Sequence, residues 1–413
     1  MPAKRSAAVL ILSICFFLWG TGWCFPEEIT ITVKGNARTK TRFVGNIVRD
    51  YLERNAIVDT ADVDAAALRD LILNKELFSE VKVGVSPGRI DIQVKDRWTL
   101  IPIPIVNAES DQDTRYGLFL YERNFLGYGK TVVLGGMFSL SQSTYFGLYE
   151  DPEIGFSDWL FRVQASRSAD ISYQYRRDEK VFGDDRLINS GALTLGYQWS
   201  SDFLASTTLR AEQFHYRRLS DAPVPDDYRI IKGELDLEWD RSRFRFYYKD
   251  GFRAQVELEH QLYRSDSVKK AYAAALMVNA EKTLFRRQAL QLQLTGMALE
   301  KGDQRDLIRV GSQRGFRGVP DSGAWVDRCA AAAFDYQIPL WFAGFGTWTV
   351  APFVDTGYLN QRGHESDQVT FSAAGIGTYI YLKNIALPGL GVHVGCNDTF
   401  FNTFFDFTIG FAF

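Results

Sequence analysis

Hydrophobic spacing changes character near Trp98. Before it, short alternating stretches flank two helical ones. Ile29, Ile31 and Val33 alternate with Thr30 and Thr32 and stop at the turn signal Lys34-Gly35-Asn36. Thr39 to Leu52 then carries Phe43, Ile47, Val48, Tyr51 and Leu52 at helical spacing. Asp59-Thr60 can cap a second helix, with Val63, Leu68, Ile72, Leu73 and Leu77 as its apolar stripe. Val81, Val83 and Val85 alternate, Pro87-Gly88 turns, and Ile90, Ile92 and Val94 alternate back. The pattern predicts a β-α-α-β-β unit over residues 27–97, within the usual size range of a small domain.

From Trp98 to Phe413 the helical period vanishes and period 2 takes over. Phe252, Ala254, Val256 and Leu258 point one way, and Arg253, Gln255, Glu257 and Glu259 the other. Leu290, Leu292 and Leu294 are offset by Gln291, Gln293 and Thr295 in the same manner. A soluble sandwich would alternate too, so the tally carries the weight. Roughly 16 segments of about 9 to 13 residues fit, close to the length of a tilted membrane strand. The fold expected for 98–413 is therefore a transmembrane antiparallel β-barrel, mostly β, with the small α+β unit in front. An even strand count puts both chain ends on one side. Ser168 to Asn189 fits least well and is expected to be a long loop with some hairpin character.

Composition changes the picture in three ways. The chain has 413 residues and a net charge of −3, so no basic field draws it to nucleic acid. Aromatics reach 14%, with Phe 31, Tyr 19 and Trp 9, as interfacial girdles require. The mean hydropathy of −0.15 hides any membrane character, because opposite faces of each strand cancel. Lys4-Arg5 followed by the apolar Ala7–Trp19 reads as a signal peptide over residues 1–24, and implies export. Trp23 stands where a lipid-attachment signal before Cys24 wants a small residue. Cys329 and Cys396 sit on expected strands and make no disulfide framework.

Specific motifs then narrow the class. Val33-Lys34-Gly35-Asn36-Ala37-Arg38-Thr39 and Leu77-Phe78-Ser79-Glu80-Val81-Lys82-Val83 resemble the opening and the helix-to-strand turn of a POTRA domain. Glu122-Arg123-Asn124-Phe125-Leu126-Gly127-Tyr128-Gly129 is similar to an early periplasmic turn of the BamA superfamily of outer-membrane assembly barrels. Val310-Gly311-Ser312-Gln313-Arg314-Gly315-Phe316-Arg317-Gly318 resembles that superfamily's Arg-Gly-aromatic motif in the sixth extracellular loop, with Gln313 in place of an aliphatic residue. Phe334–Leu340 and Phe353–Gly357 follow in the expected order. The resemblance implies a loop folded into the lumen, with Arg314, Gly315 and Phe316 as its motif. Asp335 and Asp355 are then partners of the arginine, and strand parity turns both inward. Gly311, Gly315 and Gly318 would let the loop turn tightly.

The last strand carries its own signal. Phe405, Phe407, Ile409, Phe411 and Phe413 alternate with Asp406, Thr408, Gly410 and Ala412, and a terminal aromatic resembles the recognition signal by which bacterial outer-membrane barrels are assembled. The resemblance implies a factor that captures unfolded outer-membrane or secreted polypeptides with its POTRA domain and inserts them through the barrel. Outer-membrane lipid and accessory periplasmic or lipoprotein partners belong to the same expectation. Pro102 and Pro104 would weaken pairing in the first strand, where such a barrel opens toward lipid. A secretion pore of the two-partner type for a dedicated exported protein is the alternative. One POTRA domain instead of several argues against the central assembly role.

Catalysis is the third class considered. His364-Glu365-Ser366 resembles the His-x-Ser of outer-membrane phospholipases, but Asp367 follows it and the trio falls in an expected loop. His393 with Asn397 is no better, and His215 and His260 have no metal-ligand spacing. No cofactor or metal is expected, and no enzyme activity.

Overall fold

The computed structural model describes residues 29–107, 115–139, 143–176, 179–217, 226–245, 248–266, 268–284, 287–319, 324–362, 366–386, 389–400 and 403–409. The signal segment, Cys24, His364, Glu365, Gly410, Phe411 and Phe413 lie outside them.

The first unit runs β1 (Thr30–Lys34), α1 (Thr41–Arg54), α2 (Ala65–Asn74), β2 (Phe78–Ser86) and β3 (Arg89–Asp96). Its sheet order is β1-β3-β2, with β1 parallel and β2 antiparallel to the central β3. Ile90, Ile92 and Val94 of β3 are buried against Phe43, Val44, Ile47 and Val48 of α1 and Leu68 and Ile72 of α2. Each such side chain removed from water stabilises by about 1.5–3 kcal/mol. The second helix begins later than the pattern suggested. Asp59 caps only a single 3₁₀ turn, Thr60–Asp62, and the helix cap is Asp64, whose carboxylate accepts from the N–H groups of Ala66 and Ala67. Val63 is extended between the two caps.

The second unit is a barrel-shaped sheet. Its strands are β4 (Leu100–Asn107), β5 (Arg115–Phe125), β6 (Lys130–Phe138), β7 (Ser143–Asp151), β8 (Trp159–Arg176) and β9 (Glu179–Ser200). Next come β10 (Phe203–Arg217), β11 (Tyr228–Asp240), β12 (Arg243–Phe244), β13 (Lys249–Arg264), β14 (Tyr272–Thr283) and β15 (Ala289–Glu300). The last are β16 (Ile308–Val310), β17 (Ala324–Phe342), β18 (Gly346–Arg362), β19 (Ser366–Leu382), β20 (Leu390–Asn397) and β21 (Phe404–Ile409). β12 and β16 are fragments of 2 and 3 residues, because β11 pairs directly with β13 and β15 with β17. Among the described residues the other sixteen strands form the wall, each antiparallel to its chain neighbour, and the order brings β21 back beside β4.

One expectation holds only in its hairpin character. Residues 168–189 are not a long loop: β8 and β9 stay paired from Trp159↔Tyr197 out to Arg176↔Glu179. These strands are 18 and 22 residues long, well beyond what a bilayer needs. Backbone pairing thus continues beyond the stretch in which the sequence shows apolar alternation.

The wall is inside out relative to a soluble core. Leu258, Leu292, Leu294, Val354, Ile376 and Val394 are exposed on the outer face, while Gln291, Gln293 and Thr295 are buried within. The α+β unit sits on the turns at one end. Lys40 N–H donates to Gly127 O at 2.9 Å, Phe244 N–H to Asn74 Oδ1 at 2.9 Å, and Trp98 N–H to Asn384 O at 2.7 Å. No helix among the described residues is long and apolar enough to cross a membrane.

Candidate functional site

Two places gather polar groups that a barrel wall alone does not need. The first is the long connection between β15 and β17. A capping box at Asp303 and Asp306 starts it, β16 pairs with the start of β17, and two successive turns follow inside the barrel. In these turns Phe316 N–H donates to Gln313 O at 2.7 Å and Val319 N–H to Phe316 O at 3.1 Å. Phe316 is fully buried, tilted against Phe371 and clustered with Val310, Val326 and Phe400. Gly315 and Gly318 have φ of +87° and +80°, a region costly for other residues. A Cβ on Gly318 would stand 2.6 Å from Phe404 Cδ1.

The charges of this loop are divided differently from the sequence expectation. Arg314 donates through Nε to Asp335 Oδ2 at 3.0 Å and does not reach Asp355. Asp355 is held by Arg317, whose Nε lies 2.8 Å from Oδ2 and whose Nη2 lies 2.5 Å from Oδ1. Arg317 also reaches both oxygens of Asp335, at 2.8 and 3.1 Å, so it bridges the two carboxylates. The N–H groups of Gly315 and Arg317 donate to Asp355 Oδ2 at 3.0 and 3.2 Å. The Arg317 guanidinium stacks 3.7 Å from the Phe353 ring centre, and Asn397 holds the Arg317 carbonyl at 3.0 Å. Asp335, Asp355 and Arg317 are 2%, 0% and 2% exposed. Only a planar fork can serve two carboxylates in this way. The overlooked signal was the second Arg-Gly pair, three residues after the first.

Around this knot lies a wider polar shell. Arg314 contacts Gln291 Oε1 at 3.5 Å, Gln337 donates to Thr349 at 3.0 Å and to Tyr381 at 2.5 Å, and His393 bonds to Tyr379. His393 is thus part of the lumen packing. Among the described residues no cluster of metal-ligand type occurs.

The second place is where the α+β unit meets the barrel. Asn124 is buried there, with its amide donating to Thr39 Oγ1 at 2.9 Å and its oxygen accepting from Gly129 N–H at 2.9 Å. Gly127 and Gly129 have φ of +84° and +65°. A Cβ on Gly127 would fall 2.6 Å from Arg38 O, and one on Gly129 2.6 Å from Phe43 Cζ. The glycines of this turn are the seat on which the α+β unit rests. Beside it Glu76, at the end of α2, meets Arg123 of β5 and, at 3.4 Å, Lys249 of β13. Burial pushes the Glu76 carboxyl up, but Arg123, Lys249 and Arg97 outweigh it and hold its pKa at about 2. Lys75–Glu153 and Arg54–Asp158 add ion pairs to the β7–β8 turn.

In the last strand Phe405 is exposed on the outer face, while Phe407 and Ile409 pair through their backbones with Val392 and Leu390. Pro102 and Pro104 of β4 pair opposite Leu120 and Leu118.

Fold and site together define a class: a sixteen-stranded barrel with a small α+β domain seated on the turns at one mouth and a loop pinned inside by arginine–carboxylate bridges. No family profile matches the sequence, and no curated protein matches it in a sequence search. Solved structures do share the fold. BamA from Haemophilus ducreyi lacking POTRA domains 1–3 is similar with a TM-score of 0.56 at 12% identity, over 94% of this chain and 84% of that one. CdiB from Escherichia coli gives a TM-score of 0.60 at 13% identity over 95% and 90%, and CdiB from Acinetobacter baumannii 0.54 at 11% over 93% and 74%. The similarity covers the α+β unit and the barrel alike.

Proposed function

We propose that the chain is a non-enzymatic outer-membrane factor that takes extended polypeptides from the periplasm and inserts them at, or moves them across, the membrane. The observation that carries this reading is the Arg317 knot, which fixes a long loop inside a barrel whose other mouth bears a POTRA-like domain. A passive pore needs neither. The sheet of that domain ends in β1 and β2, each paired on one side only among the described residues, and an extended client can add to such an edge through main-chain hydrogen bonds. The domain faces the periplasm in this reading, and unfolded outer-membrane or secreted chains are the clients, with accessory periplasmic or lipoprotein partners delivering them.

The test is client folding in liposomes that contain the purified chain. An unfolded outer-membrane barrel should become protease-resistant faster than with empty liposomes, and the gain should disappear with Arg317→Ala. No acceleration together with a robust ion conductance would instead favour a secretion pore for one dedicated exported protein.

A further inference from the structure

The lipid-facing wall carries one depression where strand geometry and charge agree on an occupant. It has a volume of about 810 Å³ and lies across β10, β11, β13, β14 and β15. Gly233, Ala274 and Ala298 floor it, and Leu209, Leu235 and Leu258 wall it. Register explains the hollow. Gly233 pairs with both Leu209 and His260, and Ala274 pairs with both Leu258 and Ala298, so small residues fill adjoining rungs on one face.

The end of this hollow away from the α+β unit is aromatic and cationic. His260 stacks on Tyr272 at 4.3 Å and 6°, and the Lys301 ammonium lies 4.7 Å over the Tyr272 ring. Lys270 donates to the Leu262 carbonyl beside it. Arg328 is exposed and pairs across from Ala298. Among the described residues no carboxylate forms an ion pair with Lys270, Lys301 or Arg328, which stand just beyond the hollow; Glu300, on the Tyr272 rung, lines it, as do Glu234 and Glu259, whose strand parity turns them to the other face. The His260 Nδ1 is buried without a hydrogen-bond partner among the described residues. An ionisable group on the lipid face is costly and marks a site by default.

We infer that this depression binds one lipid with more than one phosphate on its headgroup, taken from the leaflet that faces outward. Its acyl chain lies over Gly233, Ala274 and Ala298, and its phosphates meet Lys270, Lys301 and Arg328. The inference rests on the reading of the barrel as membrane-spanning. Three cations flanking the outer end of the hollow, against the one outward carboxylate of Glu300, favour an anionic amphiphile over a neutral one. Burying each methylene contributes about 0.8 kcal/mol, so shape alone would hold any lipid, and the cations supply the choice.

The test places the full chain in phosphatidylcholine nanodiscs doped with diphosphoryl lipid A and counts the lipids retained after release, by native mass spectrometry. Lipid A should be enriched about ten-fold over phosphatidylcholine. The enrichment should collapse in Lys270→Glu/Lys301→Glu, which reverses the charge, and separately in Ala274→Trp, which fills the hollow. Both variants should keep the heat-dependent gel shift of a folded barrel. Enrichment unchanged in both variants, or phosphatidylglycerol retained as strongly as lipid A, overturns the inference. A chain that never enters the nanodisc refutes the membrane reading as well, which separates the two failures.

Discussion

At the scale of single residues, Arg317 is the side chain on which the inner loop depends. It serves two buried carboxylates, whereas Arg314 serves one that Arg317 also covers. Arg317→Ala leaves Asp355 with backbone donors only, at a cost of about 3–5 kcal/mol for an uncompensated buried charge. Arg314→Ala should cost closer to about 1 kcal/mol, the worth of one hydrogen bond. The midpoint of the heat-dependent gel shift should therefore fall much further for Arg317→Ala. Equal shifts would mean that the bridge is not the anchor. Arg317→Lys should behave like the alanine variant, because an ammonium cannot span both carboxylates. Protease cutting between Lys301 and Val319 in intact liposomes would report the freed loop.

At the scale of elements, the joint between α2 and the barrel responds to acid. The Glu76 carboxyl titrates at about 2 when docked, against an ordinary value of 4.5. Its contribution is thus fully present above about pH 4.5 and is lost as pH falls through about 2. Spin labels on α1 and on the β7–β8 turn should keep one short distance at neutral pH and broaden as the sample is acidified toward pH 2. Glu76→Gln should broaden the distribution already at pH 7, since Arg123 and Lys249 then face each other without their shared carboxylate. A second lever is steric. Gly127→Val places a branched Cβ against the Arg38 carbonyl at a φ of +84°, and should lift the α+β unit from its seat without unfolding the barrel.

At the scale of the whole molecule, the ring order brings β21 beside β4, and Pro102 and Pro104 each remove a ladder donor from β4. If clients enter the membrane there, locking the seam must stop them. Cysteine pairs scanned between Leu100–Ile103 and Phe404–Phe405 should, once oxidised, abolish client folding in liposomes, and reductant should restore it. Full activity in an oxidised, crosslinked barrel would exclude a lateral route. Glu76 meets Arg123 of β5 and Lys249 of β13 and pairs with no residue of β21, so the seam lock and Glu76→Gln should act independently and combine additively.

Period alone determined much of this protein. Alternation of Leu290, Leu292 and Leu294 with Gln291, Gln293 and Thr295 reports a face in lipid and a face in a polar lumen, because a strand has only two sides. The same parity turned Asp335 and Asp355 inward, and helical spacing in Phe43–Leu52 marked the packed side of α1. Pattern stopped short in the far reaches of β8 and β9, where backbone pairing continues without a hydrophobic signature in the sequence. It also could not assign partners. Which arginine meets Asp355 depends on how two tight turns aim side chains three residues apart, and that is set by Phe316 burying itself against Phe371. The seat made by Gly127 and Gly129, the Glu76 joint and the hollow over Gly233 all join residues far apart in the chain. Contacts of that kind come from curling the sheet and docking the domain, and only the tertiary structure decided them.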